Sequence, residues 1–111
     1  MKMEVVTYNA IEGFHAYKDA PEFCSYLRDR HRHIFVIRCK FCVSHNDRQI
    51  EINRQQRLIE TALTANYGNP CEFGNLSCED IAQWILGKFE SENITAAEVL
   101  EDGYGGASLT R

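Results

Sequence analysis

The stretch His31-Arg32-His33-Ile34-Phe35-Val36-Ile37-Arg38-Cys39-Lys40-Phe41-Cys42-Val43-Ser44 alternates with a period of two. Every second residue gives His31, His33, Phe35, Ile37, Cys39, Phe41 and Val43, and the other set gives Arg32, Ile34, Val36, Arg38, Lys40, Cys42 and Ser44. Side chains two apart on a strand share a face. One face is therefore apolar beyond the histidines, while the other is mixed and partly wet. This is the pattern of a strand in an antiparallel sheet covered on one side, and it is clearest from His33 to Ser44.

Upstream, Glu4 to Tyr8 is β-prone and runs on towards Phe14-His15, predicting a first strand with a bulge near Gly13. Asp19-Ala20-Pro21 signals a turn, and Pro21 to Leu27 reads as a short helix. Downstream, His45-Asn46-Asp47 turns the chain and Arg48 to Ile52 alternates as a returning strand. Asn53 to Tyr67 predicts a helix ended by Gly68-Asn69-Pro70, and residues 71 to 76 predict a loop. Ser77 is a good N-cap, with Glu79 and Asp80 in the first turn of an amphipathic helix reaching about Glu90. A strand from Thr95 to Glu101, a Gly-rich turn and a short closing strand from Ala107 to Thr110 complete the chain. Strands in a run followed by two helices predict an α+β fold, an antiparallel sheet with both helices on one face.

The 111 residues suit a single domain over 1–111, since no repeat or Pro/Gly-rich linker divides them. Apolar residues make up 44% and charged residues 25%, the balance of a globular chain. No apolar run approaches the roughly 20 residues of a membrane span. The N-terminus does not read as a secretory signal. With a net charge of -4, the chain as a whole does not attract nucleic acid, and the one basic cluster, Arg28, Arg30 and Arg32, is diluted by Asp29. Five cysteines are an odd count, which suits reduced thiols and a cytoplasmic setting better than a disulfide framework.

His31 and His33, on one strand face, can converge on one ion. Zinc accepts neutral imidazole nitrogens at about 2.0–2.1 Å, and His15, at the end of the neighbouring strand, is the natural third ligand. Two histidines in a basic loop are otherwise ordinary surface residues. Cys39-x-x-Cys42 is not half a zinc finger, because residues three apart on a strand point to opposite faces; buried apolar thiols are the better reading of Cys39 and Cys78. Cys24, in the loop before the histidines, would ionise and act as base or nucleophile if it lay beside a metal. His45 and Asp47 serve the turn. Glu101, at a strand end, suits an amidine-like edge such as that of guanine or a pterin, a role Glu98 would fill as well.

The order of these features resembles the 6-pyruvoyltetrahydropterin and 6-carboxytetrahydropterin synthases. Phe14-His15 matches that family's aromatic-led first histidine, and His31-Arg32-His33 its His-Gly-His. Asn75-Leu76-Ser77-Cys78-Glu79-Asp80-Ile81-Ala82, continuing to Trp84-Ile85, is similar to its N-P-T-S-E-N-L-A-x-W-I helix start. Val99-Leu100-Glu101-Asp102 is similar to its closing V-x-E-T strand, so the resemblance spans nearly the whole chain. It implies the T-fold, a ring-shaped homo-oligomer, usually a hexamer, with sites between subunits, zinc on His15, His31 and His33, and Glu101 anchoring a pterin.

The chain also departs from that pattern. The family's catalytic cysteine falls at the position of Leu27, with Cys24 three residues earlier. Its Leu-Asp-His after the first helix has no counterpart in Asn69-Pro70-Cys71-Glu72-Phe73-Gly74. Arg32 replaces the central glycine, placing charge beside the site, and Asp102 replaces the closing threonine.

Two functions compete on this reading. In the first, the chain is a zinc-dependent synthase-like lyase acting on a dihydropterin triphosphate, with Cys24 as its base and Arg28, Arg30 or Arg32 on the phosphates. In the second, it is a degenerate T-fold protein that captures a pterin, purine or nucleotide-like ligand without turnover. A purely structural subunit would leave His31 and His33 without a reason.

Overall fold

The alternating stretch forms the central strand of the sheet. In a computed structural model, which describes residues 1–111, β1 (Met3–His15) pairs antiparallel with β2 (His31–Val43) along the full length of both strands. Helix α1 (Ile52–Tyr67), β3 (Cys71–Gly74), α2 (Cys78–Lys88), β4 (Ile94–Glu101) and β5 (Gly105–Thr110) follow. The sheet order is β3-β1-β2-β4-β5, with every pairing antiparallel except the short parallel β1–β3 edge. The fold class is the α+β arrangement expected, with a mixed rather than purely antiparallel sheet.

Both helices cover one face. The odd-numbered row of β2, Phe35, Ile37, Cys39 and Phe41, is fully buried in one cluster with Ile59 and Leu63 of α1 and Ile81, Ala82 and Ile85 of α2. Ser77 caps α2 through a capping box, its side chain accepting from Asp80 N–H while Asp80 accepts from Ser77 N–H, both at 3.0 Å. The opposite face stays open: Val6 and Tyr8 are exposed there, and Arg38 pairs with Glu98 at 3.2 Å. No helix is long and apolar enough to cross a membrane.

Four local expectations change. Arg48 to Ile52 does not return as a strand, because β1 and β4 already occupy both edges of β2. Glu51 instead caps α1, its carboxylate accepting from Arg54 N–H at 2.6 Å. Residues 71 to 74 form a strand, not a loop, with Cys71 and Phe73 buried beneath the sheet edge. The irregularity in β1 falls between Phe14 and His15, opposite β3, rather than at Gly13. The segment after Pro21 is a 3-10 helix (Glu22–Arg28) broken by non-helical backbone at Cys24.

Candidate metal centre

The β1–β2 register places His15 directly opposite His31, and Gly13 opposite His33. Across β2, Glu101 of β4 stands opposite Phe35, one pleat beyond His33 on the same face. Four side chains from three strands thus meet at one end of the helix-covered face. The three imidazoles pack edge to face, with centroids 4.6 Å apart for His15–His31, 5.2 Å for His15–His33 and 4.9 Å for His31–His33. Their floor is Phe35, 5.1 Å from His15 and 5.6 Å from His33. Gly13 makes room for that floor, since a Cβ there would stand 2.8 Å from Phe73 and 3.1 Å from Phe35.

Each histidine has its Nδ1 held by an acceptor. His15 Nδ1 lies 3.0 Å from the Leu76 carbonyl, His31 Nδ1 2.9 Å from the Asp29 carbonyl and His33 Nδ1 2.7 Å from Asp102 Oδ2. Carbonyl and carboxylate oxygens only accept, so Nδ1 carries the proton and the neutral ring keeps a bare lone pair on Nε2. His15 Nε2 and His33 Nε2 are buried without a hydrogen-bond partner. Glu101 Oε2 lies 3.0 Å from the first and 3.7 Å from the second, close in distance but not in hydrogen-bonding geometry.

Electron-pair donors gathered in this way repel one another until a cation sits among them. The four ligand atoms lie within 4.8 Å of one another, so His15, His31, His33 and Glu101 can hold a metal ion. Burial pushes the His15 pKa below its ordinary 6.5, which outweighs the opposing pull of the Leu76 carbonyl and Glu101 and keeps the ring neutral, as a metal ligand must be. Hydrogen bonds from His33 and from Ile34 N–H hold the Asp102 carboxyl below the usual carboxylate range.

An open cavity of about 520 Å³ adjoins the cluster, walled by His15, His31 and Glu101 on one side and by Leu27, Leu76 and Cys78 on another. That volume suits a small molecule. Glu98 lies on the opposite face, paired with Arg38, so of the two strand-end acids only Glu101 reaches the cavity.

The remaining sequence candidates stand elsewhere. Cys24 is buried in the 3-10 segment and does not line the cavity. The thiol that does is Cys78, whose Sγ lies 3.8 Å from Glu101 Oε2 and whose pKa burial, assisted by the Glu101 charge, pushes up to about 12. Arg32 projects from the other face of β2 and pairs with Glu12. Arg30 forks onto Glu72 and lies 3.6 Å over the Phe14 ring, while Arg28 Nε donates to the Ala20 carbonyl at 2.7 Å. Asp102 and the carbonyls of Leu76 and Asp29 are the contributors that sequence reasoning missed. The Asp102-Gly103 pair signals a tight turn, but only the register shows that this turn faces His33.

No protein-family model matches the chain, and no curated protein matches it either.

Proposed function

We propose that this chain is a zinc-holding protein of the 6-pyruvoyl/6-carboxytetrahydropterin synthase kind, whose cavity captures a pterin or purine-like ligand. The observation that carries this reading is the convergence of three histidines whose Nδ1 atoms are all engaged and whose Nε2 atoms are left for a ligand. Three imidazole nitrogens suit zinc and leave the Glu101 carboxylate to the cavity. A zinc ion there supplies a Lewis acid at the cavity wall. Glu101 faces both the cluster and the cavity, and its carboxylate accepts the paired N–H groups of an amino-pyrimidine edge. Leu27 and Leu76 give the flat ring an apolar wall.

Capture without turnover is the reading the single chain favours. Beyond His15 and His31, which belong to the metal cluster, its cavity holds no histidine to move a carbon-bound proton, Cys24 stands outside it, and Cys78 holds its proton at neutral pH. Arg28, Arg30 and Arg32 each pair within this chain, and no arginine lines the cavity to meet a triphosphate. The synthase reading requires groups from a neighbouring subunit of a homo-oligomer, as the resemblance implies.

One experiment separates these readings: metal analysis of the purified protein, followed by incubation with dihydroneopterin triphosphate while product and bound small molecules are followed. About one zinc per chain with pterin retained unchanged is the expected result. Formation of a tetrahydropterin product would establish the synthase reading instead. Protein that binds neither zinc nor any pterin or purine would overturn both.

A further inference from the structure

Asp102 occupies an unusual backbone position. It and Gly103 have φ of 54° and 79°, the left-handed pair at the centre of a turn closed by Tyr104 N–H on the Glu101 carbonyl at 2.9 Å. An Asp tolerates this conformation better than most residues. The turn carries β4 into β5, and it also brings the Asp102 side chain back over β2. There both carboxylate oxygens are used. Oδ1 accepts from Ile34 N–H at 2.9 Å and Oδ2 faces His33 Nδ1 at 2.7 Å. Asp102 N–H donates in turn to the Ile34 carbonyl at 2.8 Å, so the residue is clamped to β2 from both sides.

We infer that Asp102 is a positioning residue for the metal centre: it fixes His33 as the Nδ1–H tautomer and aims its Nε2 at the point shared with His15 and His31. This rests on the metal-holding reading above and extends it to a residue outside the donor set. His15 and His31 are oriented by backbone carbonyls, which any side chain at those positions would leave in place. His33 alone depends on a side chain. A carboxylate is the group that fits, because Ile34 N–H and His33 Nδ1–H both require an acceptor. An asparagine satisfies one of them and presents its NH2 to the other. If its oxygen keeps Ile34, the NH2 donates to His33 Nδ1 and drives the proton to Nε2, where it blocks the metal.

The test compares wild type with Asp102→Asn and Asp102→Ala. Nitrogen NMR of the metal-free proteins at pH 8 reads the His33 tautomer, and competition with a chromophoric chelator reads zinc affinity. Wild type is expected to show His33 as Nδ1–H. Asp102→Asn is expected to show Nε2–H and to bind zinc roughly 10- to 100-fold more weakly. Asp102→Ala, which leaves Nδ1 to water, is expected to lose less than Asp102→Asn despite removing more atoms. A residue that served only the turn would lower the melting temperature of both variants without changing the tautomer. Asp102→Asn with His33 still Nδ1–H and zinc affinity within about twofold of wild type would overturn the inference. If wild type itself takes up no zinc, the metal-holding reading fails, while the tautomer comparison still decides whether Asp102 sets His33.

Discussion

His33 and Phe35 are neighbours on one face of β2, their rings edge to face at 5.6 Å, yet they belong to regions with opposite chemistry. From Phe35 to Phe41 the row is sealed under α1 and α2, and every side chain finds apolar partners. From His33 to His31 the helical cover has ended, a cavity opens, and buried nitrogens are left without partners. Burial at the first end is the source of stability. Burial at the second end lowers the His15 pKa and leaves lone pairs facing one another, which costs stability until a cation is bound. The same sheet geometry serves both ends, and only the side chains differ.

Mutations that separate stability from metal binding test this contrast. Phe41→Ala, deep in the sealed row and packed edge to face on Phe89, is expected to cost about 3–5 kcal/mol in denaturant unfolding. Its folded fraction should keep the zinc content of wild type; loss of zinc there would mean the two regions are not separable. His31→Ala is expected to do the reverse. Zinc affinity should fall more than about 100-fold by chelator competition, since a ligand outweighs its outer-shell partners. Stability of the metal-free protein should change by less than about 1 kcal/mol, because no apolar packing is removed. A large loss of metal-free stability would show that the histidines are core residues in their own right.

Gly13→Ala probes the boundary itself. The added methyl would press on Phe73 and Phe35, the floor beneath the imidazoles, costing about 1–3 kcal/mol from overpacking. Because Gly13 stands opposite His33, a smaller drop in zinc affinity should accompany it, measured by the same competition. Wild-type affinity in that variant would mean the floor does not orient the cluster.

The smallest effect expected is a pH dependence of the metal-free protein. His15 has a folded pKa below its ordinary 6.5, so the unfolded chain takes up that proton first as pH falls. The stabilisation is complete above pH 6.5 and declines as the pH drops through the lowered folded value. Thermal melts from pH 8 to 5 should show this decline, and His15→Gln should flatten it.

Much of the fold was legible because local chemistry and tertiary need agreed. The period of two in β2 and the Ser77 cap of α2 each depend on residues close in sequence. Where the two disagreed, the sequence misled. Ile50 and Ile52 alternate as a strand would, but β2 had no free edge to receive one. Cys71–Gly74 is too short to signal a strand by itself and becomes one only beside β1. Cys24 is near the histidines in sequence, whereas Cys78, 45 to 47 residues beyond His31 and His33, is the thiol in the cavity wall.

His31 and His33 could be placed on one face from the sequence alone, because alternation of side chains is a property of a single extended backbone. That His15 joins them, that Glu101 faces both cluster and cavity, and that Asp102 orients His33 depends on the registers of β1 and β4 against β2. Those registers are set by burial of the whole apolar row under two helices, since a slip of one residue would turn every core side chain to solvent. The histidine–glutamate cluster is therefore aligned by the hydrophobic core beside it.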